Sequence, residues 1–114
     1  MADPDRRATL SEALARLPGA AGERFATAIE HGTLTVEIYA PRGSDTQTPH
    51  TRDEVYVVMS GTGWFVNGPD RHRFGPGDVL FVPAGVPHRF HQFTDDLAVW
   101  AVLCSPQGRG VPRW

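Results

Sequence analysis

The chain has 114 residues and a formal charge of −2, from 11 basic and 13 acidic side chains. That balance argues against a nucleic-acid partner, which asks for a basic excess on one face. Every basic residue is an arginine, which excludes Schiff-base chemistry on a lysine of this chain, and the single cysteine, Cys104, excludes an internal disulfide or a thiolate metal cluster.

The length predicts one domain spanning 1–114, with roughly 60–70% of the unfolded surface buried on folding. At the start, Arg6 and Arg7 are followed by no apolar run of the kind a signal peptide needs. No later stretch approaches the roughly 20 apolar residues of a membrane span. The expectation is a soluble cytoplasmic protein with no membrane partner.

Thr9-Leu10-Ser11-Glu12 has the spacing of a capping box, and Leu10, Ala13, Leu14 and Leu17 then share one helical stripe before Pro18-Gly19 stops it. This predicts a short helix over about 10–17. Phe25 to Ile29 is a weak strand candidate, and His31-Gly32 reads as a turn. From Thr33 the pattern changes to period two, with Leu34, Val36 and Ile38 on one face and Thr35, Glu37 and Tyr39 on the other. Ala40 to Asp45 has loop composition. Short strands then alternate with turns at Gly61-Thr62-Gly63, Asn67 to Asp70, Gly75 to Asp78, Pro83 to Pro87 and Thr94 to Asp96. The last strong strand is Leu97 to Leu103, with Cys104 expected to be a buried hydrophobe. Residues 105–114 read as a tail. Seven or eight short strands at this spacing predict an all-β antiparallel sandwich or small barrel over about 25–104, with one N-terminal helix.

Two stretches carry chemistry. In Pro49 to Gly61, His50 stands four residues before Glu54, and strand alternation puts His50, Arg52, Glu54 and Tyr56 on one side. An imidazole and a carboxylate facing inward are two legs of a metal site, although on a surface strand they are only a solvated polar face. The second stretch, Gly77 to His88, delivers another histidine at the end of another strand. Other chemistries fit poorly. Ser60-Gly61-Thr62-Gly63 has no strand-turn-helix context for a nucleophile elbow, and its glycines do not form a phosphate loop.

Both stretches resemble the two motifs of the cupin superfamily, and the chain resembles its small single-domain members. The first family motif is a glycine, a His-x-His pair, a glutamate three or four residues later, then six residues and a glycine. Glu54 and Gly61 match it, and His50 stands where the second histidine belongs. The second motif is matched by Gly77, Pro83, Gly85 and His88, with Gln92 in place of its asparagine. Fifteen residues separate Gly61 from Gly77, the minimal spacing of bacterial members. The resemblance implies an antiparallel double-stranded β-helix, or jelly-roll barrel.

It further implies a metal set of His50, Glu54 and His88 with open positions for water, substrate or dioxygen. Iron, manganese, nickel, copper and zinc all suit these ligands. Thr48 replaces the first motif histidine. By strict alternation Thr48 shares the face of His50, but Pro49 invites a bulge that could turn Gln47 inward as a fourth ligand, with water as the alternative. Arg52, Tyr56, Phe90, Gln92 and Trp100 are candidates for contact with a small-molecule ligand, and Arg52 and Tyr56 for a catalytic role. The fold hosts many chemistries. Two functions stay open: a metal-dependent enzyme of oxygenase, isomerase or cyclase type, and a non-catalytic binding or sensing module. Exposed strand edges favour pairing of two copies, so a homodimer is expected.

Overall fold

The computed structural model describes residues 6–105. The N-terminal helix α1 spans Leu10–Leu14, with Thr9 as its cap as the spacing predicts: the Thr9 hydroxyl accepts from the Glu12 amide at 3.2 Å, while the Glu12 carboxylate reaches back to the Thr9 hydroxyl at 2.6 Å rather than to its backbone amide. It is shorter than expected. From Arg16 the bonds tighten to three-residue steps, Arg16 N–H to Ala13 and Leu17 N–H to Leu14, and Pro18 cannot extend the helix.

Eight strands follow: β1 (Phe25–His31), β2 (Leu34–Tyr39), β3 (Asp53–Ser60), β4 (Gly63–Asn67), β5 (Asp70–Phe74), β6 (Val79–Val82), β7 (His88–His91) and β8 (Ala98–Cys104). They make two antiparallel sheets, one ordered β1-β2-β8-β3-β6 and one ordered β5-β4-β7. The predicted antiparallel jelly-roll class is what the chain adopts. His31 belongs to β1 rather than to the turn, because β1 and β2 stay paired out to His31 and Leu34.

The inner faces of the two sheets meet in one cluster. Tyr56 and Val58 of β3, Leu80 and Val82 of β6, and Val99, Ala101 and Leu103 of β8 pack against Phe65 of β4, Phe74 of β5 and Phe90 of β7. Register then fixes the face of every other residue. Glu37 pairs with Ala101, and Ala101 with Tyr56, so these three point inward together. Ile38 pairs with Trp100, and Trp100 with Val57, on the opposite face. The polar set of β2, not its aliphatic set, therefore faces the interior. Ile38 and Ala13 are nonetheless buried, and α1 packs against β2. The same alternation corrects the expectation for Cys104: Leu103 takes the inward place, and Cys104 is exposed.

The glycine at 61 is required by space as well as by backbone. Its φ is +92°, and a Cβ there would come within 2.6 Å of the Leu97 Cα, so a side chain would force β3 and the start of β8 apart.

Candidate metal centre

The bend at Pro83 to Pro87 is a β-turn with Gly85 at its third position. Val86 N–H reaches the Pro83 carbonyl at 3.2 Å, and Gly85 has φ +83°. The turn is tied to the segment before β3 by Gly85 N–H to the His50 carbonyl at 2.6 Å and by Ala84 N–H to the Asp53 carboxylate at 2.9 Å. These two bonds bring the first stretch and the second to one end of the barrel. His50 lies three residues ahead of β3, in irregular backbone. Its approach to Glu54 is set by this tie, not by the strand alternation that the sequence suggested.

His50, Glu54 and His88 each offer a ligand atom within 4.8 Å of the others, a grouping that could hold a metal ion. Glu54 Oε1 lies 3.2 Å from His88 Nε2 and 3.6 Å from His50 Nε2. Glu54 and His88 are buried, while the His50 side chain is 36% exposed and faces the opening. Buried Glu54 Oε1 nevertheless accepts no hydrogen bond of acceptable geometry.

The protonation pattern sharpens this. His88 Nδ1 sits 3.0 Å from the Val86 carbonyl, which can only accept, so Nδ1 carries a proton. Tyr56 lies 3.2 Å from His88 Nε2, but its hydroxyl proton goes to the Gln47 amide oxygen at 2.8 Å. That Gln47 orientation is fixed chemically, because its Nε2 donates to the acceptor-only Asp45 carboxylate at 2.7 Å. In a neutral His88, lone pairs of Nε2, Tyr56 Oη and Glu54 Oε1 would point at one another. A proton or a cation relieves the clash. Accordingly the His88 pKa is raised: burial pulls it down, but the Glu54 carboxylate and the Val86 carbonyl outweigh that. The donor set, two imidazoles and one carboxylate with an orphan oxygen between them, fits a divalent first-row metal.

Behind the three side chains runs a polar ladder that the sequence did not reveal. Asp45, buried in the loop after β2, accepts from the Tyr39 hydroxyl, from Gln47 N–H at 3.3 Å, from Gln47 Nε2, and from Phe90 N–H at 2.8 Å. Burial and the neighbouring carboxylates push the Tyr39 and Tyr56 phenols far above their ordinary value, so both stay protonated donors.

A cavity of about 520 Å³ opens over this end, lined among others by Arg24, Glu37, Tyr39, Arg42, Gln47 and His50. Glu54, Tyr56 and Ala101 also line it. Glu37 was missed as a site residue. Its carboxyl is held above the usual range by burial and then by Glu54, against the opposing charge of Arg52. The only signal for it lay in parity: Glu37 belongs to the polar face of β2, and nothing in the sequence says that face is inside. Of the other sequence candidates, Arg52 reaches to β2 and donates to the Thr35 hydroxyl at 2.9 Å. Phe90 is sealed in the aromatic cluster. Gln92 follows β7 at φ +49°, its amide oxygen 3.4 Å from Arg71, and Trp100 lies on the face opposite Ala101. None of these four is among the residues lining the cavity.

Known proteins are similar to this chain in sequence and in fold. An uncharacterized protein of Streptomyces coelicolor is 42% identical over 76 residues, which cover 65% of this chain and 72% of that protein. The 5-aminosalicylate 1,2-dioxygenase of a Comamonas species is 31% identical over 70 residues, 61% of this chain but only 19% of the enzyme. A solved structure from Ralstonia eutropha, a candidate mannose-6-phosphate isomerase, superposes with a TM-score of 0.64 at 26% identity, covering 71% of this chain and 82% of that one. Residues 35–104, from β2 through β8, match the Cupin domain family, Cupin_2, and the chain belongs to that family.

Proposed function

We propose that the protein is a metal-dependent enzyme of oxygenase, isomerase or cyclase type, acting on a small organic molecule in the cavity. His50, Glu54 and His88 hold the metal. The observation that carries this reading is the buried, unpartnered Glu54 Oε1 between two imidazole nitrogens. A buried carboxylate oxygen without a partner is costly, and a cation is the remedy that also uses both histidines. When bound, the metal supplies Lewis-acid polarisation of a substrate oxygen, or redox chemistry if it is iron, manganese or copper.

The chain's own groups do the rest. The Val86 carbonyl keeps the His88 proton on Nδ1 and so leaves Nε2 to ligate, the usual outer support of a metal-bound histidine. Gln47 is occupied on both sides, by Tyr56 and by Asp45, and in this reading it steadies the Tyr56 hydroxyl while water or substrate takes the remaining metal positions. Half-exposed His50 lies on the entry side, where a ligand displaces solvent. The cavity volume suits a small molecule. The dioxygenase relative and the isomerase-like neighbour support chemistry of this general kind without choosing between reactions.

Elemental analysis after loading with each divalent metal tests the site. Wild type should retain one metal ion per chain, and His50→Ala, His88→Ala and Glu54→Gln should bind it more than about 100-fold more weakly, beyond the loss typical of outer supporting residues. At a pH high enough for His88 to be neutral, metal-free Glu54→Gln should be no less stable than metal-free wild type, since the orphan charge is gone; at lower pH it also removes the carboxylate that favours protonated His88. Equal metal in all four proteins removes the site. With iron loaded, oxygen uptake on small diketones, thiols and phenols separates an oxygenase from a binder that holds ligand without turnover.

A further inference from the structure

We infer that Arg24 and Arg42 form an oxyanion subsite at the mouth of the cavity, so that the molecule bound there carries a carboxylate or phosphate at the end remote from Glu54. The inference rests on the cavity being the ligand site, as proposed above, and adds the charge of the ligand.

The chain brings the two arginines together by pairing. Phe25 and Tyr39 are register partners of β1 and β2, and one step further the Ala40 amide donates to the Arg24 carbonyl at 2.9 Å. At that corner both guanidinium groups converge on one carbonyl. Arg24 Nε donates to Ala40 O at 2.8 Å, while a terminal nitrogen of Arg42 reaches Ala40 O at 3.3 Å and Pro41 O at 3.2 Å. This leaves both terminal amino groups of Arg24 and one edge of Arg42 without a hydrogen bond to the described residues. Among those residues no carboxylate lies within 4.0 Å of either group. The nearby Glu23, which also lines the cavity, has Oε1 committed to the Ala21 amide at 2.8 Å.

Two cations held side by side without a counterion repel one another. Burial and then the charge of Arg42 hold Arg24 below its ordinary value. An oxyanion bridging the free edges removes that repulsion, and planar N–H forks match carboxylate and phosphate oxygens two at a time. The cavity is also polar along its depth. Glu54 is buried at its floor with Glu37 beside it, whereas Arg24 is half-buried and Arg42 exposed. An anionic group is repelled from the floor and drawn to the rim, which orients a molecule whose other end meets the metal ligands. The duller role for the pair is to brace the β1–β2 corner. That role moves stability and leaves ligand affinity alone.

Calorimetric titration separates the two. Inorganic phosphate and a series from oxalate to glutarate, each carboxylate beside its neutral diester, are titrated into metal-free and Mn²⁺-loaded protein. The expected result is binding of at least one anion to metal-free wild type over its ester, weakened roughly tenfold or more in Arg24→Gln/Arg42→Gln, as loss of charged hydrogen bonds requires. Metal content should stay at the wild-type value, and a lower melting temperature from the lost bonds to the Ala40 and Pro41 carbonyls does not account for lost affinity in protein still folded at the titration temperature. Whether phosphate or a dicarboxylate binds more tightly identifies the oxyanion. Should the double variant not fold, Arg42→Gln, at the exposed residue, gives the same comparison. The subsite is refuted if no anion binds better than its ester, if the glutamine variant binds as wild type does, or if binding is abolished by His88→Ala alone. Because the arginines are present without metal, absence of metal binding overturns the proposed function while the metal-free titration still decides this inference.

Discussion

At one end of the interior, β3 and β8 present Val58 and Val99 to a knot of aromatic rings. At the other end the same strands run out beside the opening, which His50 and Glu54 line, with His88 buried behind Glu54 and outside the lining. Along β3 alone the inward residues pass from Glu54 through Tyr56 to Val58. In the closed end Phe65 and Phe90 have ring centroids 4.9 Å apart, and Phe74 and Phe90 meet edge to face at 5.3 Å. Tyr56 marks the frontier, because its ring packs edge-on to Phe90 at 5.0 Å while its hydroxyl belongs to the polar ladder. The difference teaches that alternation only selects the inward side. What an inward residue must be is decided by its distance from the opening. Where water is shut out, apolar area and ring geometry supply stability. Beside the opening the strands carry polar atoms that burial cuts off from water, so each needs a protein partner, and among the described residues Glu54 Oε1 is the buried side-chain atom left without one.

If the closed end is purely structural, Phe74→Ala, at a buried ring that packs on Phe90, should cost about 3–5 kcal/mol in urea unfolding while leaving metal stoichiometry intact below the transition. A loss of metal at unchanged stability would mean the two ends are not separable. A smaller effect is expected at the junction. Asp45→Ala strips an acceptor from the Tyr39 hydroxyl, the Gln47 amide and Phe90 N–H, at a cost of about 2–3 kcal/mol. It should also weaken metal binding roughly tenfold, as outer-support losses do. Unchanged metal affinity would detach the ladder from the site.

The smallest effect is expected at Glu37 and has a defined sign with pH. Burial and Glu54 raise its folded-state pKa above the ordinary 4.5, with Arg52 opposing. Below the ordinary value both folded and unfolded chains are protonated and stability is fully present. As pH rises through the folded pKa, the half-buried group resists ionisation and stability is lost. Glu37→Gln should therefore raise the melting temperature at neutral pH, with the gain vanishing in acid. A gain that is flat across a melting series from acid to neutral would show that charge at the floor is not what matters.

The parts legible in advance were those whose physics is local or whose spacing is rigid. Thr9 and Glu12 cap a helix because three residues separate them. Glu54 stands near the start of β3 and His88 at the start of β7, directly after the Gly85 turn, and both starts lie at the same end. His50 was read correctly as a neighbour of Glu54 but for an incomplete reason, since the pleat does not extend to it and a bond from Gly85 holds it in place. Gln47 was seen as an inward residue by way of a bulge. Its partners, Tyr56 and Asp45, come from contacts nine and two residues away that no periodicity encodes.

By itself, then, the sequence determined a chain of short antiparallel strands, the turns between them, and the three side chains able to meet a metal, because alternation, turn chemistry and motif spacing are properties of neighbouring residues. Only the tertiary structure decided that the Thr35–Glu37–Tyr39 side of β2 looks inward, that Asp45 gathers four donors, and that Arg24 and Arg42 meet at one carbonyl. A period of two says which residues share a face and never which face is covered. That is settled by what packs on each side, here α1 against β2 and the second sheet across the interior.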